Sequence, residues 1–260
     1  MKYKNSYIVT IQFLGFRFHG WQKQTDVKTV HEMVDKTLSF VFNNTKFKTL
    51  GIGRTDSKVS ANCYIFQLFM DKQIKMTSFL EVLNSNFPND IKALSVEKVS
   101  GDFNIIQQPK IKEYHYFFSF GEKNHPFAAP FIVGFEKTLD IDLMKVSAKL
   151  FEGNHYFHKY CTKPSEYTTF NREILGCEIS TNDIYTANFF PKNSYVLKVK
   201  GSGFLRYQIR LMMGVLIQLG RGEITLEFIK ESLQENNDRK PLQTIAPSSG
   251  LQLYNVKFLK

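Results

Sequence analysis

Two stretches near the N-terminus decide the fold: YIVTIQF at residues 7–13 and TVHEMVDKTLSFV at residues 29–41. Val9, Ile11 and Phe13 share one face if the first stretch is extended, so it is a predicted strand. In the second stretch, Thr29 and Glu32 have the spacing of a helix-capping box, and apolar residues follow at helical spacing. The sequence therefore predicts a strand followed by an amphipathic helix.

The next segments complete one α+β unit. Strand-like runs at 47–53 and 62–70 precede a predicted helix at 77–86 and a predicted strand at 91–99. The resulting order, β-α-β-β-α-β, is that of the split βαβ or ferredoxin-like arrangement.

The second half repeats this order without sequence identity to the first. Its predicted elements are strands at 114–120, 173–180, 194–200 and 251–258, and helices at 140–151, 204–219 and 225–235. The helix at 204–219 is apolar enough to be buried. We therefore predict an α+β protein of two ferredoxin-like halves, residues 1–107 and 108–260, joined through an antiparallel sheet with a central basic cleft.

Composition narrows the class of partner. The chain has 34 Lys and Arg against 24 Asp and Glu, a formal net charge of +10, and 25 Phe and 12 Tyr. A basic, aromatic-rich protein attracts nucleic acid, although a generally lysine-rich proteome explains the charge equally well. Three cysteines without a CxxC pair fit a reducing cytoplasm. Neither a signal peptide nor a membrane span is predicted.

The segment Gly51-Ile52-Gly53-Arg54-Thr55-Asp56 carries the strongest chemical signal. Glycine lets the backbone bend and lets a ligand approach closely. Arg54 can bind a phosphate through two hydrogen bonds, while the nearby carboxylate of Asp56 stays available for chemistry. A plain β-turn with a solvated ion pair is the alternative for this segment alone.

Five further segments occur with it in a fixed order. They are Phe18-His19-Gly20-Trp21-Gln22-Lys23-Gln24, Asn86-Phe87-Pro88-Asn89-Asp90-Ile91, Tyr114-His115-Tyr116, the run from Gly203 to Arg210 (GFLRYQIR), and Ala246-Pro247 with Gly250-Leu251. Together with GRTD, they resemble the motifs of the TruA family of tRNA pseudouridine synthases over nearly the whole chain.

The resemblance implies a reaction and roles for particular residues. The reaction is isomerisation of uridine to pseudouridine at positions 38 to 40 of the tRNA anticodon stem-loop, without a cofactor or metal. Asp56 would be the catalytic nucleophile or base, Tyr114 would stack on the flipped uracil, and Arg210 would pair with Asp56. The resemblance also implies a homodimer in which one tRNA touches both subunits. The implied RNA contacts are Arg54, Lys58, Trp21, Gln22, Lys23 and Arg206, and Leu251 would join Tyr114 in binding the substrate base.

Physical chemistry supports the role given to Arg210. An arginine on an apolar helix needs a partner, because burying an unpaired charge is costly. A nearby guanidinium would also keep a catalytic carboxylate ionised.

The chain departs from the family pattern at several positions. Lys58 stands where a glycine is typical, Ile106 stands where an arginine is typical, and His115 replaces the arginine of Y-R-Y. These departures concern RNA contacts more than the chemical trio. They leave two alternatives open: a pseudouridine synthase acting on another tRNA site or another structured RNA, and a non-catalytic RNA-binding paralogue.

His155, His158 and Cys161 are spaced three residues apart, a pattern that could suggest a metal site. No fourth ligand is evident, so ordinary packing explains them better. No Walker loop and no G-x-G-x-x-G segment after a strand is present, so no nucleotide cofactor is predicted.

Overall fold

The computed structural model describes residues 3–235 and 240–259 and divides into two compact units. The first comprises Met1–Lys110 and Leu253–Lys260, and the second comprises Ile111–Gln252. The predicted α+β class is confirmed. The end of the chain belongs with the first unit, whereas the predicted division at residue 107 placed it in the second half.

The first unit has the predicted order β-α-β-β-α-β. Its elements are β1 (Asn5–Phe13), α1 (Val30–Val41), β2 (Phe47–Gly51), β3 (Ser60–Met70), α2 (Met76–Asn86) and β4 (Ile91–Val99). The strands pair antiparallel in the order β4-β1-β3-β2. This is the strand order expected of a ferredoxin-like sheet.

Strand β1 lies between β4 and β3, and one of its two faces is apolar. The predicted face of Val9, Ile11 and Phe13 is buried together with Tyr7, and Ile8 on the opposite face is buried too. Helix α1 begins as its sequence predicts: the Thr29 side chain accepts a hydrogen bond from the Glu32 backbone N–H at 3.3 Å. This cap satisfies one of the free N–H groups at the start of the helix.

The second unit contains two short strands that the sequence did not reveal. Its elements are β5 (Lys110–Phe120), β6 (Val133–Phe135), α3 (Ile141–Ala148), β7 (Gly153–Tyr156), β8 (Asn171–Thr181), β9 (Tyr195–Gly201), α4 (Gln208–Gly220), α5 (Leu226–Ser232) and the start of β10 (Leu251–Phe258). Strands β5, β9, β8 and β7 pair antiparallel in that order, and β6 pairs parallel to β5. β6 and β7 are too short to show a period-two pattern.

Helix α4 is buried as predicted but begins four residues later than expected. Eleven of its 13 residues are buried, and Arg210 is one of the two exceptions. Tyr207 has φ +66°, a left-handed backbone that cannot continue a right-handed helix, so α4 starts at Gln208. Within α4, a Cβ at Gly214 would lie 1.9 Å from the Thr244 carbonyl oxygen, so glycine permits this close packing.

Within residues 3–235 and 240–259, every helix is too short or too polar to cross a bilayer.

Candidate active site

The loop that carries Asp56 connects β2 to β3 and is fixed by backbone hydrogen bonds. The Ile52 N–H donates to the Ile65 carbonyl at 3.0 Å, and the Val59 N–H donates to the Asp56 carbonyl at 3.2 Å. The Tyr64 hydroxyl donates to the Gly53 carbonyl at 2.6 Å. Asp56 is half-buried, while Arg54 and Lys58 on either side of it are exposed. The loop thus presents a carboxylate between two cations.

The segment from Phe18 to Trp21 packs directly on this loop. The Lys58 N–H donates to the Phe18 carbonyl at 2.9 Å, and the Trp21 N–H donates to the Thr55 carbonyl at 3.4 Å. Gly20 has φ +81°, and a Cβ there would lie 2.2 Å from the Thr55 carbonyl oxygen. Two motifs that are far apart in sequence therefore form one backbone assembly around Asp56.

Trp21 belongs to the support of the loop and not to its surface. Its side chain is 2% exposed and stacks on Tyr64, with ring centroids 4.2 Å apart, and on His31 at 4.9 Å. A Cβ at Gly51 would lie 2.4 Å from the indole Nε1, so glycine makes room for the ring. The sequence predicted an RNA contact here, but a ring this deeply buried has no face for a base. We propose instead that Trp21 positions the Asp56 loop.

Polar groups beside Trp21 form a hydrogen-bond network that determines which ring nitrogen of His31 carries the proton. Thr49 donates its hydroxyl proton to Asp35 at 2.6 Å and lies 2.8 Å from His31 Nε2, so Nε2 carries the proton. Burial lowers the pKa of His31, and the charge of Asp35 opposes that effect only partly. Lys23 forms a salt bridge to the same Asp35. Of the predicted RNA contacts, Gln22 and Lys23 are exposed on this side of the loop.

Lys58 has a backbone conformation that favours glycine. Its φ is +66°, and its side chain is exposed with Nζ 5.6 Å from the centre of the Phe16 ring. A glycine at this position would adopt the same backbone without this strain. A lysine here adds a charge at the cost of backbone strain.

We expect Lys58→Gly to stabilise the protein by about 1 kcal/mol, because an L-residue in the left-handed region costs about 1–2 kcal/mol and part of the gain is lost to the greater chain entropy of glycine. Lys58→Ala keeps the strain, so it gives no such gain. Both variants lose the ammonium and should bind tRNA more weakly. Urea unfolding and filter binding measure the two effects. Equal unfolding free energies for the two variants would show that the strain at Lys58 is negligible.

The second unit holds Arg210 by two kinds of contact. Its Nε donates to the Ala246 carbonyl at 2.8 Å, and the Ala246 N–H donates to the Arg210 carbonyl at 3.0 Å. Its guanidinium lies 4.6 Å from the centre of the Tyr207 ring, and that of Arg206 lies 5.3 Å from the same centre. The closing Ala-Pro motif and helix α4 thus fix the direction of Arg210 together.

Strand β5 brings two tyrosines into this unit. Tyr114 is half-buried, with its ring edge against Phe204 at 5.3 Å between centroids. Tyr116 is fully buried and donates its hydroxyl to the Pro247 carbonyl at 2.8 Å. Burial raises the pKa of Tyr116, and the positive charge of Arg210 opposes this rise. The phenol therefore stays protonated and acts as a hydrogen-bond donor. The neighbouring Leu251 is buried.

We expect Tyr116→Phe to lower the free energy of unfolding by about 1–3 kcal/mol, because the Pro247 carbonyl loses a buried donor. Tyr167→Phe is a matched control, since Tyr167 is 85% exposed. Thermal melting of both variants measures the difference. Equal melting temperatures would mean that Pro247 finds another donor.

The other departures from the family pattern have separate surroundings. His115 is buried, with Nε2 2.8 Å from a Glu113 carboxylate oxygen, and burial lowers its pKa while Glu113 partly opposes this. Ile106 is exposed, and the Lys110 ammonium donates to its carbonyl and to those of Ile105 and Gln108. His115 therefore takes its place in the protein interior, whereas Ile106 adds an apolar group to the surface.

His155, His158 and Cys161 make other contacts. His155 Nε2 lies 2.7 Å from the Glu152 carbonyl oxygen, the His158 ring lies 5.0 Å from the Tyr156 ring between centroids, and the Cys161 thiol donates to the Thr162 carbonyl at 3.9 Å. Across the described residues, no group of three His, Cys, Asp or Glu side chains is arranged to hold a metal ion.

Comparison with known proteins decides the family. The family model described as tRNA pseudouridine synthase matches residues 147–259. The tRNA pseudouridine synthase A of Thermodesulfovibrio yellowstonii is 30% identical over 253 residues, which are 95% of this chain and 97% of that protein. The chain belongs to the tRNA pseudouridine synthase family. A tRNA pseudouridine synthase A 2 of Bacillus thuringiensis is 30% identical (98% of this chain, 100% of the relative), and the Streptococcus uberis enzyme is 28% identical (96% and 97%). The predicted enzyme class, an isomerase of the pseudouridine synthase type, is confirmed.

Reasoning from sequence missed three residues that matter to the local geometry. Tyr207 contacts two guanidinium groups, Tyr116 anchors Pro247, and Phe16 lies beneath Lys58. Tyr207 and Tyr116 lie inside segments that carry the family resemblance, and Phe16 lies just before one of them. The sequence contains no signal for their contacts, because a motif does not show which side chains pack on each other.

Proposed function

We propose that this chain isomerises uridine to pseudouridine in the anticodon stem-loop of tRNA, at positions 38 to 40, with Asp56 as the catalytic carboxylate. One observation carries the proposal: a half-buried carboxylate, fixed through its backbone, between the exposed cations Arg54 and Lys58. The names of its relatives support tRNA as the substrate.

The chemistry suits a single carboxylate. In the reaction the bond from N1 of uracil to C1′ of the ribose breaks and a bond from C5 to C1′ forms, while C5 loses a proton and N1 gains one. Substrate and product are isomers, so no co-reactant is consumed. A carboxylate can add to C6 or to C1′ and later leave, which is how Asp56 would hold the base or the sugar during the exchange.

The neighbouring residues would bind and open the RNA. The target base is stacked, so it must flip out before Asp56 can reach it. Arg54 is exposed beside Asp56 and would contact the phosphate backbone. Gln22, Lys23 and Arg206 are also exposed and fit the same role.

Roles in the second unit follow the family resemblance. Tyr114 would stack on the flipped uracil, with Leu251 beside the base, and Arg210 would supply the positive charge that keeps the catalytic carboxylate ionised. The contacts of Arg210 with Ala246 and Tyr207 support this, because they aim the guanidinium.

Two broader features belong to the same proposal. The three cysteines, Cys63, Cys161 and Cys177, are all free thiols, which supports a reducing, cytoplasmic compartment. The homodimer rests on the family resemblance, and sedimentation analysis tests it.

The test is pseudouridine mapping on unmodified tRNA transcripts incubated with the protein. Signal at positions 38 to 40 supports the full proposal. Signal at other uridines retains the chemistry but changes the target, an outcome that Lys58 and the exposed Ile106 would explain. Binding of tRNA without pseudouridine on any transcript would favour a non-catalytic RNA-binding protein.

A further inference from the structure

Phe16 and Lys58 form an exposed pair close to Asp56. The Phe16 side chain is 38% exposed, and the Lys58 ammonium lies 5.6 Å from the centre of its ring. Cations within about 6 Å of an aromatic face are attracted to it. Phe16 differs from the other exposed aromatic side chains of this unit in lying against a cation of the Asp56 loop.

Backbone contacts hold together the two segments that carry this pair. Gly15 donates its N–H to the Ser60 hydroxyl at 2.9 Å, and a Cβ at Gly15 would lie 2.0 Å from the Val59 carbonyl oxygen. The turn that carries Phe16 therefore packs on the segment that follows Lys58. Lys58 keeps its left-handed backbone while its N–H donates to the Phe18 carbonyl. Strain that persists in this way is typical of functional sites.

The chemistry of the pair matches one unpaired nucleotide. The Lys58 ammonium lies over the Phe16 ring, so a base would stack on that ring by displacing the ammonium toward the phosphate of the same nucleotide. Arg54 is exposed on the same loop, so the surroundings favour a polyanion over an apolar partner. We infer that Phe16 and Lys58 form a stacking platform for one unpaired RNA nucleotide next to the target uridine. The inference rests on the proposed function, and it makes Phe16 a residue that restricts which uridines are accepted.

The experiment pairs protein variants with RNAs that lack single bases. Anticodon stem-loop RNAs carry one abasic nucleotide at each loop position in turn, and binding and single-turnover rates are measured for wild type, Phe16→Leu and Phe16→Tyr. Loss of one stacked base weakens binding by roughly tenfold. We expect wild type to lose about tenfold at one abasic position. Phe16→Leu should bind the intact RNA about tenfold more weakly and lose nothing more at that position, whereas Phe16→Tyr, which keeps the ring, should match wild type.

Phe40→Leu on α1 is the matched control, since Phe40 is 76% exposed in the same unit, and it should behave as wild type throughout. If Phe16→Leu and wild type lose affinity equally at every abasic position, there is no platform. That result is distinct from failure of the proposed function, in which wild type forms no pseudouridine on any RNA. The binding comparison does not depend on turnover, so it decides the inference in either case.

Discussion

Asp56→Ala should reduce pseudouridine formation by at least about 10³-fold while leaving tRNA bound. The carboxylate is the only group in the proposed mechanism that bonds to the substrate, and no other residue takes its place when it is removed. The loop contacts at Ile52, Lys58 and Val59 are made by backbone atoms. The loop should therefore keep its conformation, with Arg54 and Lys58 still presented to the RNA.

Single-turnover assays and filter binding on the same tRNA transcript measure the two quantities separately. Asp56→Asn, which keeps the shape of the side chain, should fail like Asp56→Ala. Asp142→Ala on α3 is a control for loss of one negative charge, because that side chain is 85% exposed, and it should retain wild-type turnover. A tenth or more of the wild-type rate in both Asp56 variants would rule out a covalent role for this carboxylate.

Local patterns predicted much of the fold because the elements concerned are long and regular. Strand β1 shows a period of two, and α1 combines a capping threonine with a helical period, so both were found from sequence. The start of α4 was predicted too early, because the apolar sequence around Tyr207 does not indicate that this residue has a positive φ. Residues 253–259 belong to the first unit through long-range contacts, which no local sequence pattern predicts.

In the candidate site, too, short motifs could be read from the sequence, whereas contacts between distant residues could not. The roles of Asp56 and Arg54 are predictions from the GRTD segment together with five further segments that resemble the family's motifs in order. The burial of Trp21 could not be predicted from the sequence, because it depends on Gly51 and Tyr64, which are distant in sequence and converge only in the folded unit. Trp21 is buried whereas Gln22 and Lys23 directly after it are exposed, and the sequence of this segment does not distinguish the two environments.

Gly20→Ala should reduce turnover by about 10²-fold although residue 20 touches no substrate in the proposed mechanism. The added Cβ would lie 2.2 Å from the Thr55 carbonyl oxygen and 3.1 Å from the Asp56 carbonyl carbon, so the backbone of the catalytic loop has to move. A displacement of about 1 Å at a reacting group can cost about 10²-fold in rate. The left-handed backbone at φ +81° adds a stability loss of about 1–2 kcal/mol for any L-residue.

Gly222→Ala separates these two effects. Gly222 has φ +70°, and a Cβ there would meet nothing within 4 Å, so this variant carries the backbone strain without the collision. It should lose about 1 kcal/mol of unfolding free energy and keep wild-type turnover. If Gly20→Ala also keeps wild-type turnover at a similar loss of stability, the Phe18–Trp21 segment does not position Asp56. In that case the contacts of Ile52 and Gly53 with β3 would position the carboxylate. Tyr64→Phe removes the donor to the Gly53 carbonyl, so this variant would then lower turnover.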